Sequence, residues 1–197
     1  MREESVRVAL PLFHAAGGGS SPASSLQVRD LRFGPCSRPH AVELVRLWHS
    51  RLPTVQDGPW QYAFNAEHDG HTYAVALWNT PSGRCLPQHW LELRRMACAP
   101  DVPKNTPSAF LAWMARYFER ECPEREMMLS YQDTAVHLGT IYKAAGWFNA
   151  HESKPRIRDR SGKRAGTARM YRWNINGVDA DASAKVRWQR AISKVSP

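Results

Sequence analysis

The order of apolar and polar residues along the chain first predicts strands. Residues 26–33 (LQVRDLRF) alternate between apolar and polar side chains, which is typical of a half-buried strand. The same criterion predicts five further strands at 61–66, 71–78, 90–98, 126–131 and 167–175. The Asp69-Gly70 pair is a hairpin signal, so the second and third strands are predicted to be antiparallel neighbours.

Other stretches have helical periodicity. A helix is predicted from Ser37, as its N-cap, to about Trp48, with Pro39 in its first turn. Residues 109–121 predict a long amphipathic helix with an inward-facing apolar stripe of Phe110, Leu111, Met114, Tyr117 and Phe118. A short helix follows residue 131, and residues 182–195 (ASAKVRWQRAISKV) suggest a basic amphipathic helix. Strands interleaved with helices predict an α/β (α+β) fold with a mixed central sheet flanked by helices.

The 197 residues suit one domain. We expect a flexible leader over 1–25, which ends in AAGGGSSPASS, a folded domain over 26–176, and a basic C-terminal tail over 177–197 that includes the predicted helix. No apolar run is long enough to span a membrane and no signal-peptide pattern opens the chain, so a cytoplasmic location without membrane contact is expected. The four cysteines lack CxxC spacing, which indicates neither a zinc ribbon nor a disulfide framework.

The net charge of +9 is concentrated in one segment. Residues 154–172, here called the basic finger, carry eight basic residues and one acidic residue, hence a net charge of +7. Such a segment is suited to the phosphate backbone of double-stranded DNA, through Lys154, Arg156, Arg158, Arg160, Lys163 and Arg164. A solvated surface loop without a partner is the alternative, and sequence alone leaves both open.

Three motifs carry a family resemblance. GTIYKAAGWF (139–148) resembles the last signature of the GCN5-related N-acetyltransferases (GNAT): a helix with a tyrosine, then glycine and an aromatic residue. Together, WHSRLP (48–53), PKNTPSAFLAWM (103–114) and SYQDTAVHLGTIYKAAGW (130–147) resemble the phage Mom family. The resemblance covers roughly residues 26–175. It implies a GNAT-like fold, and a phage-type transferase that places an acyl-derived group on the exocyclic amine of adenine in DNA, acting in the host cytoplasm.

The resemblance also implies catalytic residues. Tyr142 matches the helix tyrosine that protonates the departing thiolate, a role suited to a phenol with a pKa near 10. His49 matches a functional histidine of Mom-like proteins, although Ser50 stands where an aromatic residue is expected. Asp133 follows the strand end, with His137 as a weaker third member. His49 and Asp133 leave two chemistries open: general-base catalysis, or a divalent metal site, for example for iron.

The donor loop departs from the GNAT pattern. Acetyltransferases place a glycine-rich turn before the long helix, whereas this chain has PKNTPS (103–108) without glycine. Lys104 supplies charge and Thr106 is a candidate N-cap with Pro107 at the first position, so a donor site is predicted at Lys104, Asn105, Thr106 and Ser108. The donor is left open between an acyl-CoA and another activated acyl compound.

Two alternative functions follow from the same residues. One is an ordinary acyl-CoA-dependent N-acetyltransferase acting on a small amine or a protein. The other is a noncatalytic nucleic-acid-binding module on a GNAT-like fold. If duplex DNA is the substrate, the base must be flipped out, and Trp60 and Trp147 are candidates to stack on it. The oligomeric state is not indicated by the sequence.

Overall fold

The computed structural model describes residues 26–49, 55, 58, 60–83, 85–154 and 183–192. After a 3-10 helix (Val28–Asp30), these residues form seven strands: β1 (Arg32–Pro35), β2 (Tyr62–His68), β3 (His71–Asn79), β4 (Leu91–Cys98), β5 (Met127–Asp133), β6 (Phe148–Ser153) and β7 (Lys185–Ala191). The helices are α1 (Arg38–Trp48), α2 (Thr106–Glu121) and α3 (Thr140–Ala144). None of these helices has the length and hydropathy needed to span a bilayer.

All seven strands belong to one sheet in the order β1-β2-β3-β4-β5-β7-β6. The β4–β5 pair is parallel and the other neighbours are antiparallel. The crossover between β4 and β5 contains α2, as a parallel connection requires. The predicted mixed sheet flanked by helices is therefore confirmed. So is the turn at Asp69-Gly70, where both residues have the positive φ of a tight hairpin, 48° and 78°.

Helices cover the two faces of the sheet. On what we call the α2 face, Phe110 and Met114 belong to the same buried cluster as Trp78 of β3, which confirms the predicted inward stripe of α2. On the opposite α1 face, Val45 packs in a smaller cluster with Leu77. Successive residues of β3 thus contribute to different cores, as the two-residue period of a strand dictates.

The N-terminal prediction is correct in part. Helix α1 begins directly after Ser37, whose Oγ accepts a hydrogen bond from the backbone N–H of His40 at 3.4 Å. The strand predicted at 26–33 is wrong in its first half. Val28–Asp30 is a 3-10 helix and β1 starts at Arg32. Val28 and Leu31 lie three residues apart, which puts them on the same side of one 3-10 turn but on opposite faces of a strand. Both pack in the cluster of the α2 face.

The helix predicted at 182–195 is wrong. Residues Lys185–Ala191 form β7, which lies between β5 and β6. Val186 and Trp188 are two residues apart and both point into the core of the α2 face. This period of two is that of a strand. The folded domain therefore includes part of the predicted C-terminal tail. The leader at 1–25 and the strand predicted at 167–175 lie outside the described residues.

Candidate functional site

Strands β4 and β5 pair at one end and separate at the other. In the described chain three residue pairs join them: Leu91–Met128, Glu92–Leu129 and Leu93–Ser130. At the same level β4 has a bulge against β3, where Arg94 is the extra residue. A bulge bends its strand, and the two strands diverge toward their C-terminal ends. We call the opening the β4–β5 gap. The opening is at the carboxyl ends of these two parallel strands, the position where α/β sheets bind ligands.

Tyr142 lies at the edge of this gap. Its hydroxyl is 3.0 Å from Oγ of Ser130, the last residue of β5 that pairs with β4. Its ring stacks on Trp188 with the centroids 5.4 Å apart. Burial raises the pKa of the Tyr142 phenol, and the hydrogen bond with Ser130 only partly opposes this. Tyr142 therefore keeps its proton at neutral pH, as a proton donor must.

A chain of hydrogen bonds fixes the turn that leads into α3. Trp188 Nε1 donates to Gln132 Oε1 at 2.6 Å, and Gln132 Nε2 donates to the carbonyl of His137. Gly139 follows with a φ of +74°, and a Cβ there would lie 2.6 Å from both Gln132 Oε1 and the Trp188 ring. The positive φ and the lack of room for a Cβ both require glycine at position 139. This turn sets where α3 begins and hence where Tyr142 lies.

Asp133 is the last residue of β5, which extends two residues beyond the predicted strand end at residue 131. Its Oδ2 accepts a hydrogen bond from Lys185 Nζ at 2.7 Å, and its Oδ1 accepts one from the backbone N–H of Ala135 at 3.0 Å. Burial raises the pKa of the Asp133 carboxyl, but hydrogen bonds from Lys185, Ser183 and Ala135 outweigh it and lower the pKa overall. The carboxylate is thus ionised. It stabilises the turn, while the N-cap of α3 is Gly139.

His49 occupies the C-cap position of α1. Burial, followed by electrostatic interactions with Arg95 and His137, lowers the pKa of the His49 imidazole to about 4. The imidazole is therefore neutral at pH 7, and it is a weaker base than a free histidine. The backbone N–H of His137 bonds to the carbonyl of Asp133 at 3.0 Å. Since His137 acts electrostatically on His49, the end of α1 and the turn after Asp133 lie at the same end of the sheet.

The described residues at this end of the sheet do not fit a divalent metal. No group of three or more His, Cys, Asp or Glu side chains is placed to hold one within the described ranges. The Asp133 carboxylate is engaged by the ammonium of Lys185, which competes with a cation for the same oxygens. We therefore assign no step to a metal.

The predicted donor site lies at the start of α2. The N-cap is Asn105, which has a φ of 69° and makes no side-chain capping bond. The prediction that Thr106 caps α2 is wrong, because Thr106 is inside the helix, fully buried, and its hydroxyl donates to the carbonyl of Pro103 at 2.7 Å. Ser108 Oγ donates to the carbonyl of Asn105 at 2.9 Å. Lys104 is exposed. These roles stabilise the helix start, and donor binding by these residues stays a prediction.

The start of α2 and the β4–β5 gap lie at the same end of the sheet. Because β4 runs toward the open end and α2 begins after the short loop that follows it, the helix N-terminus is located there. A helix N-terminus carries partial positive charge and favours anions. The backbone thus provides an anion-favouring end even though the loop contains no glycine.

The sequence did not single out several residues at the site. Ser130 and Trp188 contact Tyr142, while Arg95 acts on His49. The strand pattern marked the strands of Ser130 and Arg95 but not that of Trp188, and it gave no indication that these residues converge. The proposed stacking role of Trp147 is wrong, because its side chain is buried and packs against Tyr142 and Trp78. Trp60 is half-buried and packs against the cluster of the α1 face.

Most of the basic finger lies outside the described residues. Of the predicted DNA contacts, Lys154 is described and exposed, while Arg156, Arg158, Arg160, Lys163 and Arg164 are not described. Strand β6 precedes the finger in the chain, and strand β7 comes after it. Ser153 of β6 pairs with Lys185 of β7, and Lys185 in turn pairs with Asp133. The finger therefore begins next to the strand end that carries Asp133.

Asp133→Asn is expected to lower the free energy of unfolding at pH 7 by about 1–3 kcal/mol, the usual range for hydrogen bonds to charged groups. The folded-state pKa is depressed, so this stabilisation is present above the unfolded pKa near 3.9 and is lost as pH falls through the folded value. Urea denaturation of both proteins at pH 7 and below pH 4 measures it, with the exposed Asp101→Asn as control. A stability difference that stayed constant down to pH 2 would contradict an ionised Asp133.

Comparisons with known proteins agree with this geometry. The sequence model of the Mom protein family matches residues 70–195. Three solved structures illustrate the fold. The ribosomal-protein-S18-alanine N-acetyltransferase from Escherichia coli is 12% identical with a TM-score of 0.53, and the match covers 84% of this chain and 96% of that one. A Bacillus subtilis acetyltransferase in complex with CoA is 10% identical with a TM-score of 0.54, covering 82% of this chain and 97% of that one. A GNAT-family acetyltransferase from Streptococcus pneumoniae is 10% identical with a TM-score of 0.55, covering 83% of this chain and 99% of that one. No curated protein matches the chain. The resemblance predicted from the three motifs is confirmed, as is the GNAT-like fold.

Proposed function

Because this chain belongs to the Mom protein family and has the GNAT fold, we propose that it is a transferase that places an acyl-derived group on the exocyclic amine of adenine in DNA. The observation that carries the proposal is the β4–β5 gap with the hydroxyl of a buried tyrosine at its edge. The gap gives a donor an entry between two strands, and Tyr142 provides a proton at that point.

An acyl-CoA is the donor class that these features favour. Such a thioester supplies an activated acyl carbon and a thiolate leaving group. The N-terminus of α2, with Lys104 beside it, favours the phosphates of this donor at the open end of the gap. The fold is shared with an acetyltransferase whose solved structure contains CoA. The same end of the helix suits another anionic activated acyl compound.

The chain's own groups account for both proton movements. The acceptor nitrogen forms a bond to the acyl carbon while the carbon–sulfur bond breaks. Tyr142 holds the proton that the leaving sulfur takes up, since its raised pKa keeps it protonated until a thiolate appears. The neutral imidazole of His49 is the group suited to take the proton lost by the amine. Atoms and charges balance when His49 then releases its proton to solvent and Tyr142 takes one up.

Charge distribution favours DNA as the acceptor. The basic finger supplies a net charge of +7 and begins directly after Ser153, which pairs with Lys185 next to Asp133. A duplex held there through its phosphates presents its bases to the end of the sheet that carries His49 and the gap. A base within a duplex must leave the stack before its amine can react.

Mass spectrometry of nucleosides tests the proposal. DNA from cells that express the protein is digested and compared with DNA from cells that express Tyr142→Phe. We expect a new adenine adduct in the first sample and little of it in the second. An acetylated protein or small amine with unmodified DNA would identify an ordinary N-acetyltransferase. Tight DNA binding with no new product would indicate a noncatalytic module.

The basic finger gives a second prediction. Changing Arg156, Arg158 and Arg160 together to glutamine is expected to flatten the dependence of log K on log [salt] for duplex binding by about two to three units, near 0.9 per lost phosphate contact. Binding is expected to weaken alike for all sequences, since phosphate contacts do not read bases. Fluorescence anisotropy over a salt series measures both.

A matched control separates local from overall charge. Arg29, Arg116 and Arg120 are exposed basic residues elsewhere, and their triple glutamine variant lowers the net charge equally. We expect its salt dependence to equal that of the wild type. Equal flattening in the two triple variants would show that the finger makes no specific phosphate contacts.

A further inference from the structure

Tyr131 has an unusual position for an exposed aromatic residue. It belongs to β5, which lies inside the sheet with β4 on one side and β7 on the other. Side chains on interior strands are normally covered, yet 44% of Tyr131 is exposed. Its neighbours Ser130 and Gln132 are buried on the α2 face. Because side chains alternate along a strand, Tyr131 points to the α1 face.

The strand register brings Tyr131 to the β4–β5 gap. Pairing with β4 ends at Ser130, so Tyr131 is the first residue of β5 beside the opening. Asp133, two residues further along, shares its face of the sheet. Arg95 of β4 pairs with the inward-facing Leu77, which puts it on the α1 face as well. Tyr131 thus lies beside the gap, at the end of the sheet where His49 is located.

Positive charge adjoins the ring. Arg187 is directly opposite Tyr131 on β7, and its positive charge acts on the phenol. The Nε of Arg187 is buried and finds no acceptor among the described residues. A guanidinium has five N–H donors, so Arg187 can orient the phenol and still contact a phosphate. Glu92 also acts on Tyr131, but its carboxylate is bonded to Ser82 and paired with Arg94.

We propose that Tyr131 is the surface on which an unpaired purine base of nucleic acid stacks, with Arg187 holding the adjoining phosphate. This inference rests on the proposed function, because an adenine extruded from a duplex needs an aromatic or apolar surface outside the stack. Aromatic side chains on an open sheet are a common platform for unpaired bases, and the stacking tolerates any base. Arg187 and Arg95, on the same face of the sheet as Tyr131, supply positive charge for an anionic strand.

Binding to defined single strands tests the proposal without any acyl donor. One probe is a short DNA strand of abasic tetrahydrofuran residues carrying a single central adenine, and the other is the same strand without any base. The two have equal backbone charge, so their affinity ratio reports the base alone. We expect the wild type to bind the adenine strand about 5- to 150-fold more tightly, the range that corresponds to stacking one base on an aromatic ring.

Three variants locate the effect. Tyr131→Phe keeps the aromatic ring and should retain the ratio, whereas Tyr131→Leu keeps bulk but cannot stack and should bring it close to one. Phe148→Leu alters another half-exposed aromatic, on edge strand β6, and should leave it unchanged. A ratio near one for the wild type overturns the proposal, as does an unchanged ratio for Tyr131→Leu or an equal loss for Phe148→Leu.

Failure of this inference is distinguishable from failure of the proposed function. Adenine adducts in cellular DNA, together with an unchanged ratio for Tyr131→Leu, would leave the transferase activity in place and reject Tyr131 as the stacking surface. A Tyr131-dependent ratio without any adduct would support the base platform and reject adenine acylation.

Discussion

Tyr142→Phe is expected to slow adenine modification by roughly 10- to 10,000-fold, the usual range for removal of a general acid. Tyr142 is the buried phenol at the β4–β5 gap, and its raised pKa keeps it protonated until a leaving thiolate forms. Phenylalanine keeps the ring between Trp188 and Trp147, so the fold should persist. Loss of the bond to Ser130 should cost about 0.5–1.5 kcal/mol of unfolding free energy. Nucleoside mass spectrometry over a time course gives the rate.

The matched control for Tyr142→Phe is Ser130→Ala. It removes the same hydrogen bond but leaves the phenol in place, so it should destabilise similarly while retaining most of the activity. A full rate for Tyr142→Phe would reject Tyr142 as the proton donor and weaken the case for a thioester donor. Equal losses for both variants would assign the effect to the hydrogen bond itself, not to proton donation.

Gly139→Ala is expected to lower the free energy of unfolding by about 2–5 kcal/mol. Roughly 1–2 kcal/mol comes from placing an L-residue at a φ of +74°. A further 1–3 kcal/mol comes from overpacking against Gln132 Oε1 and the Trp188 ring, each 2.6 Å from the added Cβ. Since domains are stable by only about 5–15 kcal/mol, this is a large fraction. Thermal and urea denaturation measure it.

Two other glycines separate the causes. Gly146 has a φ of +76°, but the nearest atom to its Cβ would be 3.8 Å away, so Gly146→Ala should show the backbone cost alone. Gly34 has open space and should tolerate alanine. If Gly139→Ala were no more destabilising than Gly146→Ala, the close contact with Trp188 would not constrain the turn. Activity should fall with Gly139→Ala, because the start of α3 positions Tyr142.

Local patterns in the sequence were sufficient for the fold class and for part of the site. The stripe of α2, the cap at Ser37 and the turn at Asp69-Gly70 each depend on residues within a few positions of one another. The motif GTIYKAAGWF indicated α3 and Tyr142 for the same reason. The pattern failed in two segments. Leu26 and Val28 alternate as in a strand, but Leu31 breaks the alternation and shares one side of a 3-10 turn with Val28. Val186 and Trp188 alternate as in a strand within a segment that also fits an amphipathic helix.

The sequence by itself therefore determined the mixed α/β architecture, the family resemblance and the position of Tyr142 on a short helix. The tertiary structure alone decided how the site is assembled. It inserted β7 between β5 and β6, which brings Lys185 to Asp133 across 52 residues and Trp188 to Gln132 across 56. It also separated β4 from β5 and left Tyr131 exposed on an interior strand. The physical reason is that strand order and register depend on contacts between distant segments, and periodicity within one segment carries no information about its partner.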